Sequence, residues 1–165
     1  MPDYKHNPNI VEASDTSEVF VTWSDSLNTG VTMIDEQHRH LIDLTNELFQ
    51  ACKLGGDTLD SVFRTTMKQM VDYVRFHFSY EQDMLLRIKY PKLKEQKSEH
   101  KKLVKTVLEA TKEYGDKSKR FVPNNFVRFL RDWIIGHIGH HDKMYANYIV
   151  EQLRNGRISE KDITG

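Results

Sequence analysis

The sequence predicts an all-α fold, an up-down-up-down four-helix bundle preceded by an N-terminal arm. Three observations carry this. Apolar residues recur three and four positions apart through four long segments. Gly and Pro punctuate the chain at the joints between those segments. No long stretch alternates with the two-residue period of a strand. With 165 residues and 38% hydrophobic side chains, the chain suits one domain with one core. We divide it into an arm over residues 1–22, a bundle over 23–155 and a C-terminal tail over 156–165, expected to fray from Arg157.

The first helix is expected from about Asp35 to Leu54, with His38, Leu41, Ile42, Thr45, Leu48 and Phe49 inward. Gly55-Gly56 ends it, and Asp57 or Thr58 is placed to cap the second. That helix is expected from about Thr58 to Ile88 with Phe63, Thr66, Met70, Tyr73, His77, Glu81 and Met84 on one stripe, stopped by Tyr90-Pro91. The third is expected from about Lys92 to Tyr114, with Leu93, Gln96, His100, Leu103 and Val107 inward and Gly115 at its end. The fourth follows Pro123 and is expected to reach about Arg154. Its stripe is Phe126, Leu130, Trp133, His137, His141, Met144 and Tyr148. Short links between such helices favour antiparallel neighbours.

Bulk properties narrow the function. Lys plus Arg number 24 and Asp plus Glu 24, so nothing calls for nucleic acid or an anionic membrane. The lysine-rich stretch from Lys92 to Lys105 reads as a solvated helix face. No apolar run approaches the roughly 20 residues of a membrane span, and the first residues lack a signal peptide's apolar core. Cys52 is the only cysteine, so no internal disulfide forms, and a reducing cytoplasm is the expected compartment. Lying near the end of the first helix, Cys52 is read as inert.

Eight histidines in 165 residues are the unusual feature, and most sit inside amphipathic segments. Chain direction fixes their heights. His38 is near the start of the first helix, His77 and Glu81 near the end of the second, and Gln96 and His100 near the start of the third. His137 and Asp142 are in the middle to later part of the fourth. Because neighbouring helices run in opposite directions, these residues fall at about one level. Burying such a group of ionisable side chains uncompensated would cost several kcal/mol for each charge. Bound cations remove that penalty, since imidazole binds as a neutral donor and the metal offsets the carboxylates. His77 and Glu81, one turn apart, share a face, so Glu81 is placed to bridge two metals while His77 ligates one. Imidazole and carboxylate without thiolate suit iron, manganese or zinc more than copper(I). A familiar bundle arrangement uses four glutamates and two Glu-x-x-His pairs. This chain lacks Glu-x-x-His in its core and is richer in histidine. Fewer anionic ligands favour binding O2 over breaking it. His40 and His140 are expected at the surface, and His6 belongs to the arm.

Several motifs together resemble the hemerythrin family in its bacterial single-domain form, over about Val21 to Val150. They are Val21-Thr22-Trp23-Ser24-Asp25 with Gly30-Val31 and Ile34-Asp35-Glu36-Gln37-His38, then His77-Phe78-Ser79-Tyr80-Glu81. Tyr90-Pro91 with His100, and Trp133-Ile134-Ile135-Gly136-His137 with Asp142, complete the set. The resemblance implies two iron ions, bridged by the Glu81 and Asp142 carboxylates and an oxo or hydroxo group. It implies that His38 and His77 ligate the iron that binds O2, that His100 and His137 ligate the other, and that Trp133 and Ile134 wall the O2 pocket.

The chain departs from the family at Gln96, where the family has a histidine four residues before His100. The second iron then keeps two imidazoles, with either the Gln96 amide oxygen or water completing its shell. Peroxide or NO chemistry becomes an alternative to O2 binding, storage or delivery, as does a redox or ligand sensor. Zinc, or a single metal, is a further alternative. Binding is favoured over catalysis, and turnover stays open. One tension is geometric: regular periodicity puts His141, not Asp142, beneath His137. Asp142 can face the same side only if the helix widens locally, as in a π-bulge; otherwise His141 substitutes.

Overall fold

The structure, a computed structural model, describes residues 19–165. The arm assigned to residues 1–22, with His6, therefore lies outside the described residues except at its end. A 3-10 turn at Asp25–Leu27 precedes α1 (Thr32–Leu54), α2 (Gly56–Arg87) and α3 (Leu93–Gly115). The fourth rod is built from α4 (Pro123–Gly136), a π-helical turn at His137–Asp142 and α5 (Lys143–Arg154), and α6 (Glu160–Thr164) closes the chain. α1 packs against α2 and α4, and α2 against α3, as the predicted topology requires. Among the described residues no helix is long and apolar enough to cross a membrane.

α1 begins three residues before the expected Asp35. Asp35 is not the N-cap but a buried anchor inside the first turn. Its carboxylate accepts from the Thr29 amide at 2.8 Å, the Thr29 hydroxyl at 2.7 Å and the Gly30 amide at 3.2 Å. Those bonds satisfy donors at the helix approach that would otherwise go unpaired. Between α1 and α2 a single residue, Gly55, makes the link, and Gly55 and Gly56 have φ of +69° and +56°. Only glycine takes such angles without strain, so neither Asp57 nor Thr58 is needed as a cap, and neither supplies one. α2 closes as a Schellman motif. Lys89 takes φ +55°, and the Tyr90 and Lys89 amides bond back to Leu85 O at 2.9 Å and Leu86 O at 3.1 Å. Pro91 then prevents continuation.

The fourth rod carries the main departure from regular periodicity. Through Leu130 its buried positions follow the expected stripe. Past His137 the buried residues of the rod are Ile138, Asp142, Tyr145, Ala146, Ile149 and Gln152, while the expected His141, Met144 and Tyr148 are only half-buried. The π turn holds one residue more than a regular turn, so every later inward position moves along by one.

The tail expected to fray from Arg157 is ordered. Ser159 and Asp162 form a capping box, with both Ser159 donors 2.7 Å from Asp162 Oδ2. Arg87 of α2 donates to Asp162 O at 3.1 Å and to Ile163 O at 3.2 Å, and Ile163 is 4% exposed. One buried apolar side chain in an otherwise polar stretch gave too weak a periodic signal to predict this.

The chain before α1 runs back along it. Val21 exchanges backbone bonds with the Asn46 side chain at 2.8 and 2.9 Å, Phe20 stacks on Phe49 at 4.0 Å, and Arg39 covers Trp23 at 4.3 Å. Two apolar clusters make up the core. The larger includes Leu41, Leu48, Phe63, Met70, Val107, Phe126 and Leu130. The smaller includes Ile34, Met84, Leu85, Tyr145, Ile149 and Ile163. Each fully buried Leu, Met or Phe contributes about 1.5–3 kcal/mol. Cys52, on the larger cluster's edge, has its thiol pushed up to about 11 by burial, which keeps it protonated and unreactive.

Candidate metal centre

Between the two clusters lies a layer of polar side chains. α1 supplies His38, α2 His77 and Glu81, α3 Gln96 and His100, and the π turn His137 and Asp142. None is more than 5% exposed. The seven residues placed at one level from the sequence, His38, His77, Glu81, Gln96, His100, His137 and Asp142, are thus brought together. His141 is not among them. It is half-buried and stacks on the outer side of His137 at 5.3 Å. His40 and His140 are exposed, as expected.

The two carboxylates are each shared between two groups of nitrogens. Glu81 Oε1 is 3.2 Å from His100 Nε2 and 2.8 Å from the Gln96 amide nitrogen. Its other oxygen, Oε2, is 3.7 Å from His77 Nε2 and 4.0 Å from His38 Nε2. Asp142 repeats this: Oδ1 is 3.1 Å from His137 Nε2, and Oδ2 is 3.1 Å from His38 Nε2. Among these donors, Glu81, His100, His137 and Asp142 form one group able to hold a cation, and His38, His77 and Glu81 form another.

Gln96 belongs to the first group by position. Its amide nitrogen is 2.8, 2.5, 3.2 and 3.4 Å from Glu81 Oε1, Asp142 Oδ1, His137 Nε2 and His100 Nε2. An octahedral ion with ligands at about 2.1 Å keeps adjacent ligands about 3 Å apart. The Gln96 amide end therefore sits where a neighbouring ligand would, beside four other donors. Which amide atom faces the layer is an assignment, since oxygen and nitrogen exchange by a flip of the group.

The donor set fits a metal pair on its own chemistry. Both ring nitrogens of His38, His137 Nδ1 and Asp142 Oδ2 are buried without a hydrogen-bond partner. His38 Nε2 and Asp142 Oδ2 approach to 3.1 Å, yet not along a hydrogen-bonding direction. Orphaned buried groups of this kind cost about 1–3 kcal/mol each, more if charged. A cation that accepts their lone pairs cancels that. Burial, then repulsion from His38, drives the His77 pKa down to about 3, leaving its imidazole neutral and able to ligate. Burial opposes ionisation of Asp142, but His137 and His38 prevail and hold its carboxyl well below the usual range. At Glu81 burial and Asp142 oppose ionisation, and His100 and His77 outweigh them.

Three supporting residues escaped the sequence reading. Gln37 accepts at 2.8 Å from His77 Nδ1, which directs the lone pair of Nε2 into the layer. The Gln82 amide nitrogen is 2.9 Å from His100 Nδ1 and fixes the orientation of that ring; with the amide turned over, its oxygen accepts there and directs Nε2 into the layer as Gln37 does for His77. The Tyr145 hydroxyl donates to Glu81 Oε2 at 3.1 Å, and burial followed by the Glu81 charge pushes its pKa well above the ordinary value. Gln37 and Gln82 adjoin His38 and Glu81 in sequence but no spacing rule marks them. Tyr145 was hidden by the shifted register of the fourth rod. Outside the layer, Trp133 stacks on His137 at 4.3 Å and 11°, Phe78 stacks on His100 at 3.7 Å, and Ile134 is buried beside them at 2% exposure.

Comparison with known proteins identifies the family. The chain is 29% identical over 127 residues to a bacteriohemerythrin of Methylococcus capsulatus, covering 76% of this chain and 94% of that one. It is 30% identical over 127 residues to a bacteriohemerythrin of Clostridium acetobutylicum, covering 76% and 98%. A crystal structure of wild-type hemerythrin superposes with a TM-score of 0.71 at 29% identity, covering 78% of this chain and 96% of the other. Residues 29–149 match the family described as the hemerythrin HHE cation binding domain, and the chain belongs to the hemerythrin family.

Proposed function

We propose that the chain is a non-haem di-iron protein that binds O2, serving oxygen binding, storage or delivery. One observation carries the reading: Glu81 and Asp142 each turn one oxygen toward His38 and His77 and the other toward Gln96, His100 and His137. Two carboxylates split in this way span two cations rather than crowd one. His38 and His77 would hold the O2-binding iron. His100 and His137 would hold the second, with Gln96 at its remaining side, and an oxo or hydroxo group would complete the bridge.

A ferrous pair supplies the electrons that O2 takes up on binding. The remaining work belongs to the chain. Gln37 and Gln82 orient the rings of His77 and His100, and Tyr145 holds Glu81 by Oε2, the oxygen turned toward His38 and His77. Ile134 and Trp133 would wall the pocket and keep water from it, which slows oxidation. Trp133 also covers His137, a ligand of the second iron on this reading, on the Gln96 side.

A second reading, reduction of peroxide or NO, or sensing of such ligands, rests on Gln96. An amide oxygen is a weaker donor than imidazole, so the second iron would exchange ligands more readily. The test is metal analysis with optical spectra. Two irons per chain and a band that appears with O2 and vanishes on degassing support O2 binding. Irreversible bleaching, or turnover of peroxide or NO well above that of free iron, shifts the conclusion to the second reading.

A further inference from the structure

Away from the metal layer, α1 and α2 leave a surface cleft of about 460 Å³ between them, with Leu44, Tyr73 and Phe76 in its lining. Its floor is aromatic. Tyr73 packs edge-on against His40 at 4.2 Å and lies 5.7 Å from Phe76, and the Phe76 ring is 54% exposed. Its rims are acidic. Glu36, Asp43 and Glu47 stand exposed along α1, and Asp72 along α2. None of the four has an ion-pair partner among the described residues. Arg39, the nearest cation on α1, is held over Trp23 at 4.3 Å, and no lysine or arginine lines the cleft. An open ring between unpaired carboxylates suits a partner that brings an apolar knob among positive charges.

The same chain carries that complement on α3. Lys94, Lys97, Lys101, Lys105 and Lys112 are exposed on the side turned away from the buried His100, Leu103 and Val107. Leu108 lies among them and is 39% exposed. Glu109, at the edge of this face, reaches Lys105 at 3.7 Å, an exposed pair of little strength.

The two faces also match in spacing. Glu36, Asp43 and Glu47 are seven and four residues apart, and so are Lys112, Lys105 and Lys101 read in the opposite direction. Both sets sit on α-helices, so each interval spans the same length, about 10 Å and about 6 Å. Laid antiparallel, the pairs are Lys112 with Glu36, Lys105 with Asp43 and Lys101 with Glu47. Leu108 then falls level with His40, where Tyr73 and Phe76 form the floor. The parallel match, starting with Lys94 on Glu36, carries Leu108 past the rings.

We propose that the lysine face of α3 in one copy docks antiparallel along the acidic α1–α2 cleft of a second copy, with Leu108 seated on Tyr73 and Phe76. α3 packs on α2 and turns its lysines outward, so a copy cannot fill its own cleft. The contact is head-to-tail and extends into rings or open chains. The chain's own first 18 residues carry Asp3, Glu12, Asp15 and Glu18 against Lys5, the wrong sign for this cleft.

The test is sedimentation velocity on the metal-loaded full chain. At low ionic strength the protein should associate as its concentration rises, and the association should weaken at least about tenfold in high salt. Asp43→Lys/Glu47→Lys and Lys101→Glu/Lys105→Glu should each be monomeric with far-UV circular dichroism unchanged. Mixed together they should associate again, since one keeps the native α3 face and the other the native cleft. Leu108→Gln and Phe76→Ala should each weaken self-association about tenfold at low salt. Carbodiimide joins a lysine amine to a carboxylate it touches. Applied to mixed 15N-labelled and unlabelled chains, it should link Lys112 to Glu36, Lys105 to Asp43 and Lys101 to Glu47 between copies. Inter-chain links from Lys94 to Glu36, or from α3 to another surface, would overturn the assignment. So would association of either reversed variant alone, or a mixture that stays monomeric. A wild-type chain that is monomeric at every concentration in low salt would overturn it too, even if a synthetic leucine–lysine helix bound the cleft.

Discussion

Gln96 and Asp142 meet across the metal layer, amide nitrogen to carboxylate oxygen, at 2.5 Å. The resemblance implies a histidine at this position, and on that reading the contact marks what an amide changes where a stronger nitrogen donor would stand. Gln96→His should restore that donor. Iron loss to a chelator should slow by roughly tenfold or more, on the scale set by ligand-sphere changes elsewhere. The oxygenated form should persist longer before oxidising. Chelator competition and the decay of the optical band measure both, and equal lifetimes in the two proteins would show that Gln96 does not limit the site.

The π turn makes a sharp distinction between adjacent residues. Asp142 is 0% exposed and within 3.1 Å of two histidines, while His141 lies outside the layer. Asp142→Ala should therefore lower metal affinity by about 10–100-fold, whereas His141→Ala should leave two metals per chain. Metal content after gel filtration decides. Loss of metal from the His141 variant alone would reverse the assignment of the fourth rod.

Tyr145 anchors Glu81 by Oε2, the oxygen turned toward His38 and His77. Tyr145→Phe keeps the ring in its cluster and removes only the hydroxyl, leaving a buried acceptor without its donor. The expected loss is about 1–3 kcal/mol in unfolding free energy, read from urea titration, with a shifted optical band in the loaded protein. An unchanged band would confine Tyr145 to packing.

In the metal-free chain the titrating groups of the layer predict acid sensitivity. The His77 pKa falls to about 3, below its unfolded value, so the unfolded state binds the extra proton and stability declines as pH drops below about 6.5. The loss approaches about 1.4 kcal/mol per pH unit and continues toward the folded value. Asp142 and Glu81, with lowered values, add stability above the ordinary carboxylate range that is lost at lower pH. His137, whose value Asp142 raises against the effect of burial, acts the other way: its contribution is complete below the unfolded value and fades as pH rises through the folded one. The urea midpoint should therefore drop between about pH 7 and pH 4, and a flat profile would contradict the assignment.

α6 offers a test at the far end of the bundle. Ile163 is 4% exposed against α2 and α5 neighbours in the smaller cluster. Ile163→Ala should destabilise by about 2–4 kcal/mol, measured by thermal unfolding. A change within error would mean that the last residues fray after all.

Much of this was legible in the sequence because helix periodicity and chain direction are local rules. The heights of His38, His77, Glu81, His100 and His137 followed from where each sits along its helix. What failed was non-local or non-periodic. A constant angle per residue cannot reveal a turn that holds one extra residue, so His141, Met144 and Tyr148 were placed inward and Tyr145 was missed. The need for a widened turn surfaced only as a conflict between Asp142 and regular spacing. Gln37 and Gln82 act on rings of other helices, and no pattern within their own helices distinguishes them from surface glutamines. Asp35 was read only as the start of the first helix, because its bonds to Thr29 and Gly30 are visible only once the chain turns.

The polar layer also divides the interior. Apolar packing does not run unbroken from one end of the rods to the other; a small group around Ile34, Met84 and Tyr145 is separated from the main body by imidazoles and carboxylates. With cations in place, the layer ties the two parts into one cooperative unit. Without them, the smaller part can open while the larger holds, so occupancy of the centre also sets how much of the molecule melts together.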